Sequence, residues 1–173
     1  MNPGKVTFSG AGRYVGHHIA MLQLAKAADI KTKYIPYKGG VPALLAVMSG
    51  EVMAGFNNTS DAFRSKDRVK ILAIADLQRS SFIPDVKTFK ELGFDVDNSS
   101  NNRRGIAAPK GTPPELIRKL SDIFVKMFND KKVAKRMKDS GSGMFVLSRD
   151  ETKKMWKKTQ DTLEVVLKNL GQE

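Results

Sequence analysis

A short run of β-forming residues that breaks at glycines and opens a helix occupies residues 34–52, and no other feature restricts the fold of this chain as strongly. Residues 33–37 are rich in strand formers, Gly39 and Gly40 permit positive φ and close backbone approach, and Pro42 suits a first helical turn. Ala43, Leu44, Val47 and Met48 supply a short apolar face that stops at Ser49-Gly50, a helix C-terminal signal. Free N–H groups and the dipole at a helix start favour an anion, so a carboxylate or phosphate is the natural guest of the Gly39-Gly40 turn. Without a guest the same turn is simply a tight strand-to-helix connection.

Related arrangements flank this one. Val6-Thr7-Phe8 reads as a strand, Ser9-Gly10-Ala11-Gly12 as a small-residue turn, and Val15, Ile19, Leu22, Ala25 and Ala28 as one side of a helix. Residues 51–56 predict a third strand that ends at Asn57-Asn58-Thr59-Ser60-Asp61, where the asparagines either cap a helix over 61–66 or donate their amides to a bound oxygen. Residues 69–75 form a continuous apolar run of the kind found in a strand buried on both faces. Alternating strands and helices argue an α/β fold with a parallel, doubly wound sheet, in which ligands sit outside the carboxyl ends of the strands.

The pattern loosens over 76–102. A short helix over 88–92 precedes the polar stretch 95–102, which reads as a connector and hinge. Beyond it, residues 105–108 predict a strand, Thr112 an N-cap and Pro113-Pro114 a helix start, with Leu116, Leu120, Ile123, Phe124, Met127 and Phe128 on one face. A short helix is expected over 132–139 and a strand over 144–147. Ser148 and Glu151 make a capping box before a helix marked by Met155, Thr159, Leu163, Val166 and Leu170 that ends at Gly171.

Several function classes are set aside by residue content. The chain has no cysteine, and its two histidines, His17 and His18, are adjacent, so they cannot share a helix face, which leaves them packing or capping roles and no metal set. No apolar run approaches the roughly 20 residues of a membrane span. No Ser-His-Asp set or carboxylate pair suggests catalysis. The net charge of +12 is uneven: residues 1–102 hold 13 Lys and Arg against 9 Asp and Glu, and residues 103–173 hold 17 against 9. The excess lies mostly on lysine-rich helix faces without interleaved aromatics, which argues against a nucleic-acid partner. Gly10, Gly12 and Gly16 imitate a dinucleotide fingerprint, the basis of an alternative oxidoreductase-like reading, but the spacing is one residue too long and Lys38 stands where an acidic ribose ligand is needed.

Taken together, Asn2-Pro3-Gly4-Lys5, the Ser-Gly-Ala-Gly turn with His18, Pro36-Tyr37-Lys38-Gly39-Gly40 followed by Pro42-Ala43, Phe56-Asn57-Asn58, and Arg104-Gly105-Ile106-Ala107-Ala108-Pro109-Lys110-Gly111-Thr112-Pro113 resemble the substrate-binding receptors of tripartite tricarboxylate transporters, the Bug or TctC-like family. The resemblance implies a periplasmic-binding-protein-like fold and a periplasmic receptor. Such a receptor uses no cofactor, closes two lobes on a small carboxylate, and passes it to membrane permease subunits. It implies that residues 5–98 are a complete ligand-binding lobe, 99–104 a hinge, and 105–173 the C-terminal part of the other lobe. The export signal and the N-terminal part of that lobe are then missing, and self-association through the incomplete lobe is expected. The ligand rims expected on this basis are Gly10, Ala11, Gly12, Arg13 and Tyr14; Gly39 and Gly40; Asn57 and Asn58; and Arg104. Two departures stand out: Arg13-Tyr14-Val15-Gly16-His17 replaces the family's small and hydroxylated run, adding a cation for a carboxylate, and Arg103 replaces a usual aromatic.

Overall fold

The computed structural model describes residues 4–170; Asn2, Pro3 and Gly171, and the side chains of Val166 and Leu170, lie outside the described residues. The chain divides into two compact units, Met1–Asn102 and Arg103–Glu173.

In the first unit, strands β1 (Thr7–Gly10), β2 (Lys33–Pro36) and β3 (Ala54–Gly55) form a parallel sheet in the order β2-β1-β3. Helix α1 (Gly16–Ala27) follows β1, α2 (Gly40–Met48) follows β2, and α3 (Thr59–Arg64) follows β3. The α/β expectation thus holds for the first three strand-to-helix turns. β1 is central because both neighbours pair with it, and its Ser9, fully buried, donates its hydroxyl to the Ala43 carbonyl at 2.8 Å, pinning α2 to the sheet. Ile19, Ala20 and Met21 of α1, Ala43, Leu44 and Ala46 of α2, and Val52, Ile83 and Val96 make the buried apolar core. Phe8 and Phe56 rings meet at 5.5 Å, and Phe56 and Phe89 at 6.2 Å, extending it past β3.

Three expectations change here. The expected strand over 51–56 is shortened to β3, Ala54–Gly55, and α3 begins at Thr59 rather than residue 61. Residues 69–75 form no strand: they contribute a single parallel bridge, Ile74 to Thr88, built on Ile74 N–H donating to the Lys87 carbonyl and Phe89 N–H to the Ile74 carbonyl, both at 3.0 Å. An apolar run becomes a strand only where a ladder partner lies alongside, and here the partner is one turn of chain; Leu72 stays 67% exposed. The turn over 88–92 is 3-10, spanning Lys90–Leu92. In α1 the buried residues are the consecutive His17, His18, Ile19, Ala20 and Met21 rather than a single stripe, because the helix start is enclosed on several sides. One cover is the polar connector: Gln23 Nε2 donates to Asp97 Oδ1 at 2.7 Å and Ser99 Oγ at 3.0 Å, and Ser100 is buried. Burial pushes the Asp97 carboxyl up, but hydrogen bonds from Ser99 and Gln23 outweigh it and leave the group below its usual value.

The second unit holds α4 (Pro114–Phe128), α5 (Lys131–Asp139) and α6 (Arg149–Leu170). Neither 105–108 nor 144–147 is a strand, and no strand lies in this unit among the described residues. Neither segment has a ladder partner, which a strand requires. Pro113, not Thr112, takes the N-cap position of α4, with Pro114 at the first helical position; the Thr112 hydroxyl instead donates to the Pro109 carbonyl at 2.8 Å. The α6 capping box forms as expected: Ser148 N–H donates to Glu151 Oε2 at 2.9 Å and Glu151 N–H to Ser148 Oγ at 3.4 Å.

Candidate functional site

The carboxyl ends of the three parallel strands carry the residues singled out as rims, and the first unit brings three of the four sets together. β1 ends at Gly10, where a Cβ would lie 2.2 Å from the Tyr34 hydroxyl, so only glycine fits. That hydroxyl donates to the Gly12 carbonyl at 2.8 Å and thereby shapes the turn. Ala11 N–H donates to His17 Nδ1 and Tyr14 N–H to His18 Nδ1, each at 3.0 Å. Tyr14 sits at φ 57°, a left-handed conformation unusual for a non-glycine residue, and its ring packs 5.2 Å from that of His18. Arg13 and Tyr14 face outward.

The histidines take a capping role as well as a packing one: although adjacent and on different helix faces, both bond the backbone of one turn. His18 also stacks on Tyr34 with ring centroids 4.2 Å apart. Burial lowers the His17 pKa against the opposing pull of Asn58 and Asp61, while burial and then the Arg13 charge lower that of His18. Burial pushes the Tyr34 phenol up.

The second rim follows β2. Tyr37 N–H donates to the Gly10 carbonyl at 2.8 Å, carrying the pairing of β2 and β1 past the strand ends. Gly39 is the N-cap of α2 at φ 117°, ψ 168°, a conformation open essentially to glycine alone. Gly40, expected to need positive φ as well, is instead the first helical residue, and a Cβ there would come into contact with Asn58 Nδ2 and Asp61 Oδ2, each 3.4 Å away.

The third rim follows β3. Asn58 occupies the N-cap position of α3 without capping it through its side chain. Its amide is committed elsewhere: Oδ1 accepts from Asn102 Nδ2 at 2.9 Å and lies 3.3 Å from His17 Nε2, and Nδ2 donates to Asp61 Oδ2 at 3.0 Å. Asp61 also pairs with Arg64. Asn57 differs from its neighbour, since its Oδ1 is buried with no hydrogen-bond partner. An unsatisfied buried acceptor costs on the order of 1–3 kcal/mol, so an arriving donor would be stabilised there. Arg104 belongs to the second unit and is exposed.

His17, Tyr34, Asp61 and Asn102 are the site-building residues that sequence reasoning passed over. Only the position of the histidines, one turn beyond a glycine-rich strand end, was a signal. The glycines of the dinucleotide-like pattern serve the chain itself at Gly16, where a Cβ would lie 2.1 Å from the Ser100 carbonyl. Among the described residues no group of three His, Cys, Asp or Glu could hold a metal ion, and no helix is long and apolar enough to cross a membrane. A mostly apolar groove of about 400 Å³, lined by Tyr37, Pro42, Leu45, Met48, Glu51 and Arg68 among others, shares no residue with the rims.

Comparison with known proteins identifies the family. Residues 1–172 match the family model described as "Tripartite tricarboxylate transporter family receptor". A Cupriavidus necator protein, named for its position in the gbd 5' region, is 34% identical over 126 residues, which cover 72% of this chain and 38% of that protein. A solved structure of a periplasmic transporter superposes with a TM-score of 0.85 at 31% identity, covering 96% of this chain and 56% of its own. MatC from Rhodopseudomonas palustris, solved with bound malate, gives a TM-score of 0.65 at 25% identity over 80% of this chain and 47% of its own. The chain thus spans roughly two-fifths to just over half of the proteins it matches. With a periplasmic-binding-protein-like α/β fold and a family match along nearly its whole length, the chain belongs to the tripartite tricarboxylate transporter receptor family, whose members are solute-binding receptors rather than enzymes.

Proposed function

We propose that the chain serves as a non-enzymatic periplasmic receptor that captures a small carboxylate for a tripartite tricarboxylate-type transporter and delivers it to the permease subunits. The observation that carries this reading is the convergence of three glycine- and asparagine-bearing rims at the carboxyl ends of a parallel sheet. Two of them open helices longer than two turns, where free N–H groups and the dipole favour an anion. The contacts assigned are the turn of Gly10, Ala11, Gly12, Arg13 and Tyr14, with the Arg13 guanidinium as ion-pair partner; Gly39 and Gly40; Asn57 and Asn58; and Arg104 from beyond Asn102. Malate in the MatC relative supports the ligand class.

In this reading residues 5–98 are the ligand-binding lobe, 99–104 the connector and 105–173 part of the other lobe. Thermal denaturation with malate, a tricarboxylate, a neutral sugar and a neutral amide tests the ligand class. Carboxylates are expected to raise the melting temperature through preferential binding to the folded state; stabilisation by the neutral compounds alone overturns the reading.

A further inference from the structure

We propose that His17, supported by His18, is the positioning residue of this site: its neutral imidazole straps the glycine turn after β1 to the rim after β3, and the strap releases when Nδ1 takes a proton. The inference rests on the reading that these rims take a carboxylate, but the strap itself is a property of the ligand-free chain.

The geometry is specific about the tautomer. Nδ1 of His17 accepts the Ala11 N–H at 3.0 Å, so in the neutral ring the proton sits on Nε2, which then donates to Asn58 Oδ1 at 3.3 Å. Asn58 in turn receives Asn102 Nδ2 and donates to Asp61, and a Cβ on Gly40 would lie 3.8 Å from His17 Cε1. One imidazole therefore bonds the first rim and the third and lies near the second. His18 repeats the device four residues from Tyr14, holding that residue in its left-handed conformation.

Protonation reverses the strap. A ring with N–H at both positions opposes the Ala11 N–H donor with another donor, and the bond becomes a repulsion. The groups facing His17 are Asp61 from α3, itself paired with Arg64, Asn58 and Asn102 from the loops, the uncharged Gly40 of α2, and Tyr34 of β2 beside its Cβ; Arg13, Tyr14 and Tyr34 face His18. Asp61 favours the charged ring, but burial outweighs it. The sign follows: a base whose folded pKa lies below its ordinary 6.5 contributes stability fully present above 6.5 and lost as pH falls through the folded value.

Amide exchange and ring chemical shifts measured on the 173-residue chain without ligand test this directly. The Ala11 protection factor is expected to fall about tenfold with acidification, tracking the His17 ring titration at a midpoint below 6.5. Phe56, whose N–H donates to Ser9 within the sheet, should stay protected through the same range. His17→Gln, which offers no acceptor at the Nδ1 position, should lose Ala11 protection at pH 7.5; His17→Asn, whose Oδ1 replaces Nδ1, should keep it without pH dependence. A midpoint at or above 6.5, Ala11 protection unchanged across the titration, or wild-type Ala11 protection in a folded His17→Gln chain overturns the strap. Malate titration at pH 7.5 is the separate arm: a wild-type chain indifferent to every carboxylate overturns the ligand reading, while the strap is still decided by Ala11.

Discussion

The two units reach helical structure by different routes. In the first, every helix lies against something: among the described residues the buried apolar side chains all fall between Ile19 and Val96, and Ser9 and Thr88 are buried with them. In the second, α4 and α5 bury no residue, while Ile123, Phe145 and Trp156 are 51%, 80% and 61% exposed. Its helices instead rest on local chemistry: the capping box at Ser148, the Asp130 cap, and ion pairs four residues apart such as Lys135 with Asp139 and Lys157 with Asp161. Pairs of that kind stabilise a helix by only about 0.2–0.5 kcal/mol each. Amphipathic periodicity thus sets where a helix forms, and burial decides how firmly it is held.

The widest separation between the units should appear in amide exchange. Backbone amides of β1, α1 and α2 are expected to be protected at least about a hundredfold more than those of α4 and α5, because opening free energies run from near zero in poorly packed segments to the global value in a core. Equal protection in a monomeric chain breaks the comparison. Equal protection that appears only with rising protein concentration sharpens it, since the exposed apolar helix faces are then covered by association.

Next in size are truncations of equivalent side chains. Leu44→Ala, in the core of α2, is expected to cost about 2–5 kcal/mol, and Leu116→Ala, 44% exposed in α4, under about 1 kcal/mol. Urea denaturation followed by far-ultraviolet circular dichroism measures both. Comparable losses from the two substitutions would mean that α4 has a core partner.

The same contrast explains what was legible in the sequence. The three strand-to-helix turns were visible because each carries its own punctuation, a β-rich run and then Gly10, Gly39 or Asn57-Asn58, and those turns are local. The strands expected over 69–75, 105–108 and 144–147 failed because a strand is a relation between two segments, and hydrophobicity in one of them does not supply the other. Within the site, the glycines were legible from their type. The task of His17 was not, since it depends on an Ala11 amide six residues back and an Asn58 side chain 41 residues ahead, meeting only in the folded sheet. Asn57 and Asn58 read as equivalent, yet one amide is fully engaged and the other keeps an unpaired buried oxygen.

Gly39 tests the join between fold and site in the first unit. Its φ of 117° with ψ of 168° lies in a region essentially closed to side chains, so Gly39→Ala is expected to cost roughly 1–3 kcal/mol even though the nearest atom to an added Cβ, on Pro42, is 3.7 Å away. The penalty is one of conformation rather than collision. Gly50→Ala supplies the reference, being at φ 76° with nothing within 4 Å and away from the rims. If both substitutions destabilise alike but only Gly39→Ala weakens malate binding, the turn serves the ligand. If neither affects binding, Gly39 is a structural hinge of the strand-to-helix connection.

The smallest expected effect concerns Asp130, where the second unit relies on local chemistry alone. Its carboxylate accepts from Lys132 N–H at 2.9 Å and Val133 N–H at 3.2 Å, satisfying two of the donors that a helix start leaves open, and its charge lies at the positive end of the α5 dipole. Asp130→Ala removes both contributions and is expected to cost about 1 kcal/mol, whereas Asp130→Asn keeps an oxygen acceptor and should recover most of that loss. In a helix with no buried residue this is a large share of what holds it, so exchange should accelerate about fivefold across α5 while the amides of β1 and α1 remain unchanged. A loss felt equally in both units would show that α5 unfolds only with the sheet, and the two parts of the chain would then form a single cooperative structure.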